Sequence, residues 1–161
     1  MTKNETQNMP SIQVNAQYIK DLSFEAPSMP QILTEITAAP EINVNVDIQV
    51  NKTNQEGVFT VELNAKAAAQ TVDTKKPVFI CDVTYGALVT LNVPQEHIEP
   101  VLLVEIPHLL FPYVRSIVSN TTREAGLPPL QINPIDFAGL YQAKIQSIQA
   151  QRAEEEKKAD K

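Results

Sequence analysis

Few residues in this chain have the types and spacing that catalysis or metal binding requires. The only cysteine is Cys81, the only histidines are His97 and His108, and the four glycines lie far apart. A phosphate-binding loop needs closely spaced glycines, and a zinc site needs cysteines and histidines at short intervals. The sequence shows neither pattern, so we expect no nucleotide, cofactor or metal ion.

The single thiol is the one candidate for a nucleophile. Cys81 alternates with Phe79 and Val83, which places it on the predicted inward face of a strand. A lone inward-facing cysteine is typical of a small core residue, because a reactive thiol needs exposure and a lowered pKa. We therefore expect that the protein is not an enzyme, and a thiol enzyme based on Cys81 stands as a rival hypothesis.

Carboxylates offer a different chemistry in the stretch KDLSFEAP, residues 20–27. Asp21 and Glu25 share one face of an extended strand and lie about 13 Å apart at roughly 3.3 Å per residue. This separation is too long for the acid and base of a glycosidase, but it suits two contacts with a basic partner. The residues alone leave a second interpretation open, in which both acids keep an edge strand soluble.

A second strand carries an apolar residue beside an acid. Ile80 falls on the predicted polar side of its strand, next to Asp82. An apolar residue flanked by carboxylates is typical of a small binding patch, although single exposed aliphatic residues are common.

Composition narrows the function classes further. The chain has 161 residues, 43% of them hydrophobic, which is enough for one domain with a core. Its net charge of −6 argues against nucleic-acid binding and favours basic partners. The lone cysteine excludes an intrachain disulfide, the N-terminus MTKNETQNMP lacks the apolar core of a signal peptide, and no uninterrupted apolar run looks long enough to span a bilayer. We expect a cytoplasmic protein without direct membrane insertion.

Alternating apolar residues predict four strands that position these groups. The first runs from Ile12 to Phe24, and a reversal at Ile19 and Lys20 predicts a bulge there. Residues 41–50 and 58–67 predict an antiparallel hairpin, and residues 77–91 predict a fourth strand. The proline-rich segment 26–40 predicts a lightly structured crossover.

Two helices are predicted after Pro94. Prolines at 100, 107 and 112 predict a broken start to the first helix and a regular second half that stops near Gly126. Asn133 is the predicted N-cap of the last helix. The fold class is therefore α+β, a four-stranded antiparallel sheet followed by two helices, with a flexible N-terminus at 1–9, one domain at 10–150 and a disordered charged tail at 151–161. The apolar surplus outside the sheet predicts oligomerisation or peptide binding.

Three stretches closely resemble one family in order and spacing. They are YIKDLSFEAP at 18–27, FICDVTYGA at 79–87 and LLFPYVRSIVSNTTREAGLPPLQINPIDFAGLY at 109–141. Together they are similar to the bacterial protein-export chaperone family SecB over about residues 10 to 148. The resemblance implies a homotetramer, assembled as a dimer of dimers with helices packed between sheets. It also implies a chaperone that keeps unfolded precursor polypeptides competent for translocation and delivers them to the SecA motor.

The resemblance also implies roles for particular residues. The basic, zinc-bearing C-terminal segment of SecA would dock on Asp21, Glu25, Ile80 and Asp82, where the family usually has glutamate at the last position. Residues tied to packing and tetramer assembly would be Cys81, Val83 and Tyr85. The substrate groove would lie between the crossover residues Met29, Ile32, Leu33 and Ile36 and the later residues Leu130, Phe137, Leu140 and Tyr141, and ordinary core packing is the alternative for each of these eight.

The predicted function is thus an export chaperone that works without ATP. Its partners would be unfolded precursors, SecA and further copies of itself. The alternative is a SecB-like chaperone dedicated to one client, such as an antitoxin.

Overall fold

A four-stranded antiparallel sheet with helices on one face forms the molecule. The computed structural model describes residues 9–159, and the side chains of residues 9–153. The strands are β1 (Ser11–Glu25), β2 (Glu41–Lys52), β3 (Val58–Gln70) and β4 (Pro77–Asn92), and the helices are α1 (Ile32–Glu35), α2 (Gln95–Pro100), α3 (Ile106–Glu124) and α4 (Phe137–Ala159). The strand order is β1-β4-β3-β2. The predicted α+β class is confirmed.

Strand register separates the sheet into an inner face, on which α3 packs, and an outer face. Cys81 of β4 lies opposite Phe24 of β1 and Ala67 of β3, and all three belong to the inner face. The next residue, Asp82, lies opposite Ser23 and Lys66 on the outer face. Alternate residues of β3 and β4 are therefore buried in the core, as strand periodicity requires.

Two bulges interrupt β1. The register shifts between Ile19 and Asp21, which confirms the predicted bulge, and again between Val14 and Ala16. The second bulge was not predicted. It turns Ala16 and Tyr18 to the outer face, whereas the sequence alternation placed them with Ile12 and Val14.

The predicted broken helix is present between Pro94 and Gly126. A π-helical segment, Val101–Glu105, joins α2 to α3 and lies between Pro100 and Pro107, neither of which has a backbone N–H to donate. The regular helix α3 then packs its apolar stripe on β3 and β4. Its fully buried residues include Leu110, Val114 and Val118.

The length and composition of this helical run bear on the expectation of no direct membrane insertion. Within the part of the chain that the structure describes, the 30 residues Gln95–Glu124 are long and apolar enough to cross a membrane by length and composition, and 44% of their most apolar window is buried inside the protein. A core helix passes the same test, because a helix that packs on a sheet needs a wide apolar face. The sheet accounts for only one side of this helix.

Both ends of α4 differ from the prediction. The helix begins at Phe137, where the Asp136 carboxylate accepts a hydrogen bond from the Gly139 N–H at 2.9 Å. Asp136 and not Asn133 therefore caps it, since Pro134 keeps the intervening chain extended. The helix also continues to Ala159, through the segment predicted to be disordered, because Ala, Glu, Lys and Gln are strong helix formers. The predictions for residues 1–8 and 160–161 lie outside the described residues.

Candidate functional site

Four residues predicted to dock a basic partner lie together on the outer face. Asp21 of β1 pairs with Thr84 of β4, Ser23 pairs with Asp82, and Glu25 pairs with Ile80. Directly opposed residues point to the same side of a sheet, so strands almost sixty residues apart build one surface. We call Asp21, Glu25, Ile80 and Asp82 the acidic patch. Asp21 and Glu25 are exposed, and the other two are half-buried.

A neighbouring strand holds the carboxylate of Asp82. The Asn64 side-chain amide on β3 donates to Asp82 Oδ1 at 2.8 Å, to Thr84 Oγ1 at 2.9 Å and to the Val83 carbonyl at 3.3 Å. One oxygen of Asp82 is thus engaged within the sheet. Sequence reasoning missed Asn64, because its contact depends on the pairing of β3 with β4.

A separate apolar cavity of about 480 Å³ lies beside the sheet, between the crossover and the connector that follows α3. Its walls are the crossover segment 36–40, the start of β4 and the connector 127–131. The connector is anchored to the core, since the Leu130 N–H donates to the hydroxyl of fully buried Thr122 at 2.9 Å. An apolar, largely preformed concavity of this size suits an apolar side chain of a bound polypeptide.

Ion pairs fix both ends of the crossover wall. Lys76 Nζ lies 2.5 Å from Glu35 Oε2, just before the wall, and Lys75 Nζ lies 2.6 Å from Glu41 Oε2, just after it. The Lys75 contact is the main reason that the pKa of Glu41 lies below its usual value. One turn, between β3 and β4, therefore contacts the crossover at two points.

Two further cavities extend the first along β2, which is an edge strand. A cavity of about 530 Å³ shares Ile42 and Leu130 with the first one, and a cavity of about 170 Å³ shares Val46 and Leu140 with the second. We call the three together the β2 groove. It runs from the crossover to the first turns of α4.

Most of the predicted groove residues line the β2 groove. These are Ile36, Leu130, Phe137, Leu140 and Tyr141. The structure places the others elsewhere: Ile32 is fully buried in the core, Met29 is half-buried against it, and Leu33 is half exposed on α1 outside the three cavities. The four-residue helix α1 directs only one of its two apolar residues, Ile32, into the core.

Several residues that line the β2 groove were not among those predicted. Ile42 and Val46 of β2 and Val78 and Phe79 of β4 contribute to the groove. The signal available was the position of β2 directly after the crossover, because the inward-facing apolar residues of a strand line the same face of the sheet as the segment that leads into it.

The residues predicted for packing and assembly occupy the inner face of β4. Cys81 and Val83 are fully buried. Tyr85 is half-buried and stacks on Tyr113 of α3 with ring centroids 5.4 Å apart, and its hydroxyl donates to Gln17 Oε1 at 3.3 Å. Burial, and to a lesser extent the charge of Asp82, raises the pKa of the Cys81 thiol, which makes it a poor nucleophile. In residues 9–153, no three His, Cys, Asp or Glu side chains group as metal ligands.

Comparison with known protein families decides the family of this chain. The SecB family, described as preprotein translocase subunit SecB, matches residues 5–148. The chain belongs to the SecB family. All three stretches on which the resemblance rested lie inside the matched range, so that prediction is confirmed.

Individual SecB relatives match over most of their length. The protein-export protein SecB of Gluconacetobacter diazotrophicus is 47% identical over 152 residues, which cover 88% of this chain and 89% of the relative. The SecB protein of Paramagnetospirillum magneticum is 43% identical over 157 residues and covers 96% and 99%, respectively. The chain therefore belongs to a family of protein-export chaperones.

A solved structure shares the SecB fold. The Mycobacterium tuberculosis SecB-like chaperone Rv1957, in complex with a ChAD peptide from the Rv1956 HigA1 antitoxin, aligns with a TM-score of 0.63 and 16% identity. The alignment covers 78% of this chain and 91% of that chain. At this identity the likeness concerns the fold alone.

Proposed function

We propose that this SecB family member holds unfolded precursor polypeptides in the β2 groove and presents them to the SecA motor through the acidic patch. The β2 groove is the observation that carries the proposal, because it is a row of three adjoining cavities, lined mostly by apolar residues, along a free sheet edge. Extended segments of an unfolded chain expose the alternating apolar side chains that such a groove accommodates. The cycle needs no ATP, since release follows from competition by the motor.

Assembly multiplies weak binding at each groove. Large apolar side chains remain exposed on the inner face of β1, among them Ile19 at 51% and Leu22 at 43%, and on α3, where Tyr113 is 46% exposed. Further copies of the chain would cover them in a dimer of dimers. One long precursor could then occupy several grooves at once, and the local concentration of its segments would raise the overall affinity.

Charge supports the docking half of the proposal. The acidic patch presents three carboxylates, and the chain as a whole carries a net charge of −6. Such a surface accelerates encounter with a basic segment and orients it, and salt weakens the effect. The zinc-bearing C-terminal segment of SecA is the partner that the family membership implies, and the cytoplasm is the compartment in which both meet.

Charge reversal on β1 tests the docking. The double variant Asp21→Lys and Glu25→Lys should bind a zinc-loaded SecA C-terminal peptide roughly a hundredfold more weakly in calorimetry, because attraction becomes repulsion. Its mass by light scattering and its binding of an unfolded client should stay unchanged. The matched control, Glu56→Lys and Glu96→Lys, makes the same change of net charge at two exposed residues away from the patch. Loss of docking, mass and client binding together would show that Asp21 and Glu25 are structural.

Client range separates the general chaperone from one dedicated to a single client. We expect binding to most members of a panel of unrelated unfolded proteins, because the β2 groove offers apolar contact without a specific polar pattern. Binding restricted to one member of the panel would favour the dedicated chaperone.

A further inference from the structure

A buried carboxylate on the outer face has no part in the docking just described. Glu62 of β3 is 6% exposed, although it lies on the side of the sheet opposite to α3. Both of its oxygens accept hydrogen bonds from Lys20 Nζ, at 2.9 and 2.7 Å, and Oε1 also lies 3.3 Å from the Tyr18 hydroxyl, which donates to it. Burial of an ionised carboxylate is unfavourable unless a cation or hydrogen-bond donors compensate it.

The strand geometry explains why this cluster forms. Gly86 of β4 lies between Tyr18 and Glu62 in the sheet, and a Cβ atom at Gly86 would lie 2.7 Å from Tyr18 Cζ. The missing side chain lets the Tyr18 ring lie across β4 and shield Glu62. The bulge in β1 falls at Lys20, whose long side chain reaches across β4 to Glu62 on β3.

Lys20 is also the residue directly before Asp21, the first acid of the patch. An ammonium group there would oppose the approach of a basic segment, and a free lysine side chain is long enough to pair with a neighbouring carboxylate. Its hydrogen bond to Glu62 is the main reason that the pKa of Lys20 is raised, and the amine, like that of any exposed lysine, is charged at neutral pH. The charge persists, but Glu62 compensates it locally.

We propose that Glu62 is a positioning residue of the acidic patch: it holds the Lys20 ammonium at β3 and compensates its charge there, which leaves Asp21 free for a basic partner. The proposal rests on the docking function above. β3 thereby becomes part of the docking surface without contacting the partner. The carboxylates of the acidic patch bind a cationic ligand. A released Lys20 ammonium at the edge of the patch would compete with that ligand.

The proposal is tested by a substitution whose effect on binding a second substitution should reverse. Glu62→Gln keeps the shape of the side chain but releases Lys20, and it should weaken binding of the zinc-loaded SecA C-terminal peptide roughly threefold to tenfold at low salt. Adding Lys20→Met removes the freed cation and should restore the affinity of the unsubstituted protein. At about 1 M salt, where the Debye length is about 3 Å, the three proteins should differ little.

A matched control separates local charge from net charge. Glu124→Gln also releases a cationic side chain, that of Arg123, from an ion pair, but it lies at the C-terminal end of α3 and not on the sheet. It should leave peptide binding unchanged. Melting curves of all variants, followed by circular dichroism, identify any that are unfolded at the assay temperature.

Each outcome supports or overturns the positioning role of Glu62. Weaker binding by Glu62→Gln that Lys20→Met reverses supports the proposal. Unchanged binding by Glu62→Gln, or a loss that Lys20→Met fails to reverse, overturns it while docking through Asp21 and Glu25 stands. If charge reversal at Asp21 and Glu25 leaves peptide binding intact, the docking function itself fails, and the role of Glu62 fails with it.

Discussion

Asp82 is shorter than the glutamate usual in the SecB family, and its surroundings bear on the consequence. The Asn64 amide has two hydrogens and three acceptors within reach, of which Asp82 Oδ1 is the nearest at 2.8 Å. This contact fixes the orientation of the carboxylate through Oδ1, and Asn64 does not contact Oδ2. A carboxylate that is already immobilised loses less side-chain entropy when a basic partner binds. Asn64 therefore offsets part of the binding free energy that is lost because the aspartate side chain is shorter.

Removal of this amide should weaken docking. Asn64→Ala frees the Asp82 side chain, and we expect the affinity for the zinc-loaded SecA C-terminal peptide to fall about twofold to fivefold, or roughly 0.5–1 kcal/mol. Calorimetry at low salt measures the change. Binding of an unfolded client should stay the same, because Asn64 lines none of the three cavities of the β2 groove.

A double-mutant cycle shows whether Asn64 acts through Asp82. In an Asp82→Ala background, Asn64→Ala should have no further effect, whereas in a Glu25→Ala background its full effect should persist. Equal losses in both backgrounds would mean that Asn64 supports the sheet in general and does not orient Asp82.

At the scale of elements, β1 shows what the sequence could predict and what it could not. The reversal at Ile19 and Lys20 is visible as two residues that break the alternation, so the bulge there was predictable. The bulge at Asn15 leaves no such mark, because Ala16 and Tyr18 continue the alternation of Val14 in sequence while facing the other side in space. Tyr18 faces outward because Gly86 of β4 provides room for its ring, and that is a property of strand pairing.

In the candidate site, too, some residues could be predicted from the sequence and others could not. Strand parity and the family resemblance together brought Asp21, Glu25, Ile80 and Asp82 to one surface. The supporting residues Asn64 and Glu62 look like ordinary polar positions of an alternating strand. Their contacts join residues 18 to 44 positions apart in the chain, and the register that creates them is set by the whole sheet.

The close approach of the Tyr18 ring of β1 to Gly86 of β4 leads to a stability prediction. Gly86→Ala places a methyl group 2.7 Å from Tyr18 Cζ, so the ring must move and uncover Glu62. We expect the free energy of unfolding to fall by roughly 1–3 kcal/mol in urea titrations, as for other overpacked positions. In a Tyr18→Ala background the same substitution should have a much smaller effect. If the loss is the same in both backgrounds, the Tyr18 ring is not what Gly86 accommodates.

For the whole molecule, the helical run from Gln95 to Glu124 carries more apolar surface than one sheet covers. The buried side of α3 packs on β3 and β4, whereas Leu109 is 41% exposed and Tyr113, although it stacks on Tyr85, is still 46% exposed. Ile19 and Leu22 add exposed apolar surface on the inner face of β1. A helix placed between two sheets would bury both of its sides. This is the arrangement of the proposed dimer of dimers.

Introduction of a charge on the free side of α3 should therefore dissociate the assembly. Burial of each Leu109 at such an interface contributes roughly 1.5–3 kcal/mol, and Leu109→Lys replaces this gain with a buried ammonium group in every copy. We expect light scattering to show a shift from tetramer to a smaller species, with secondary structure retained. Val72→Lys is the matched control, because Val72 is 58% exposed in the turn between β3 and β4. A tetramer that persists in Leu109→Lys, or one that dissociates equally in Val72→Lys, would show that α3 does not form the contact between copies.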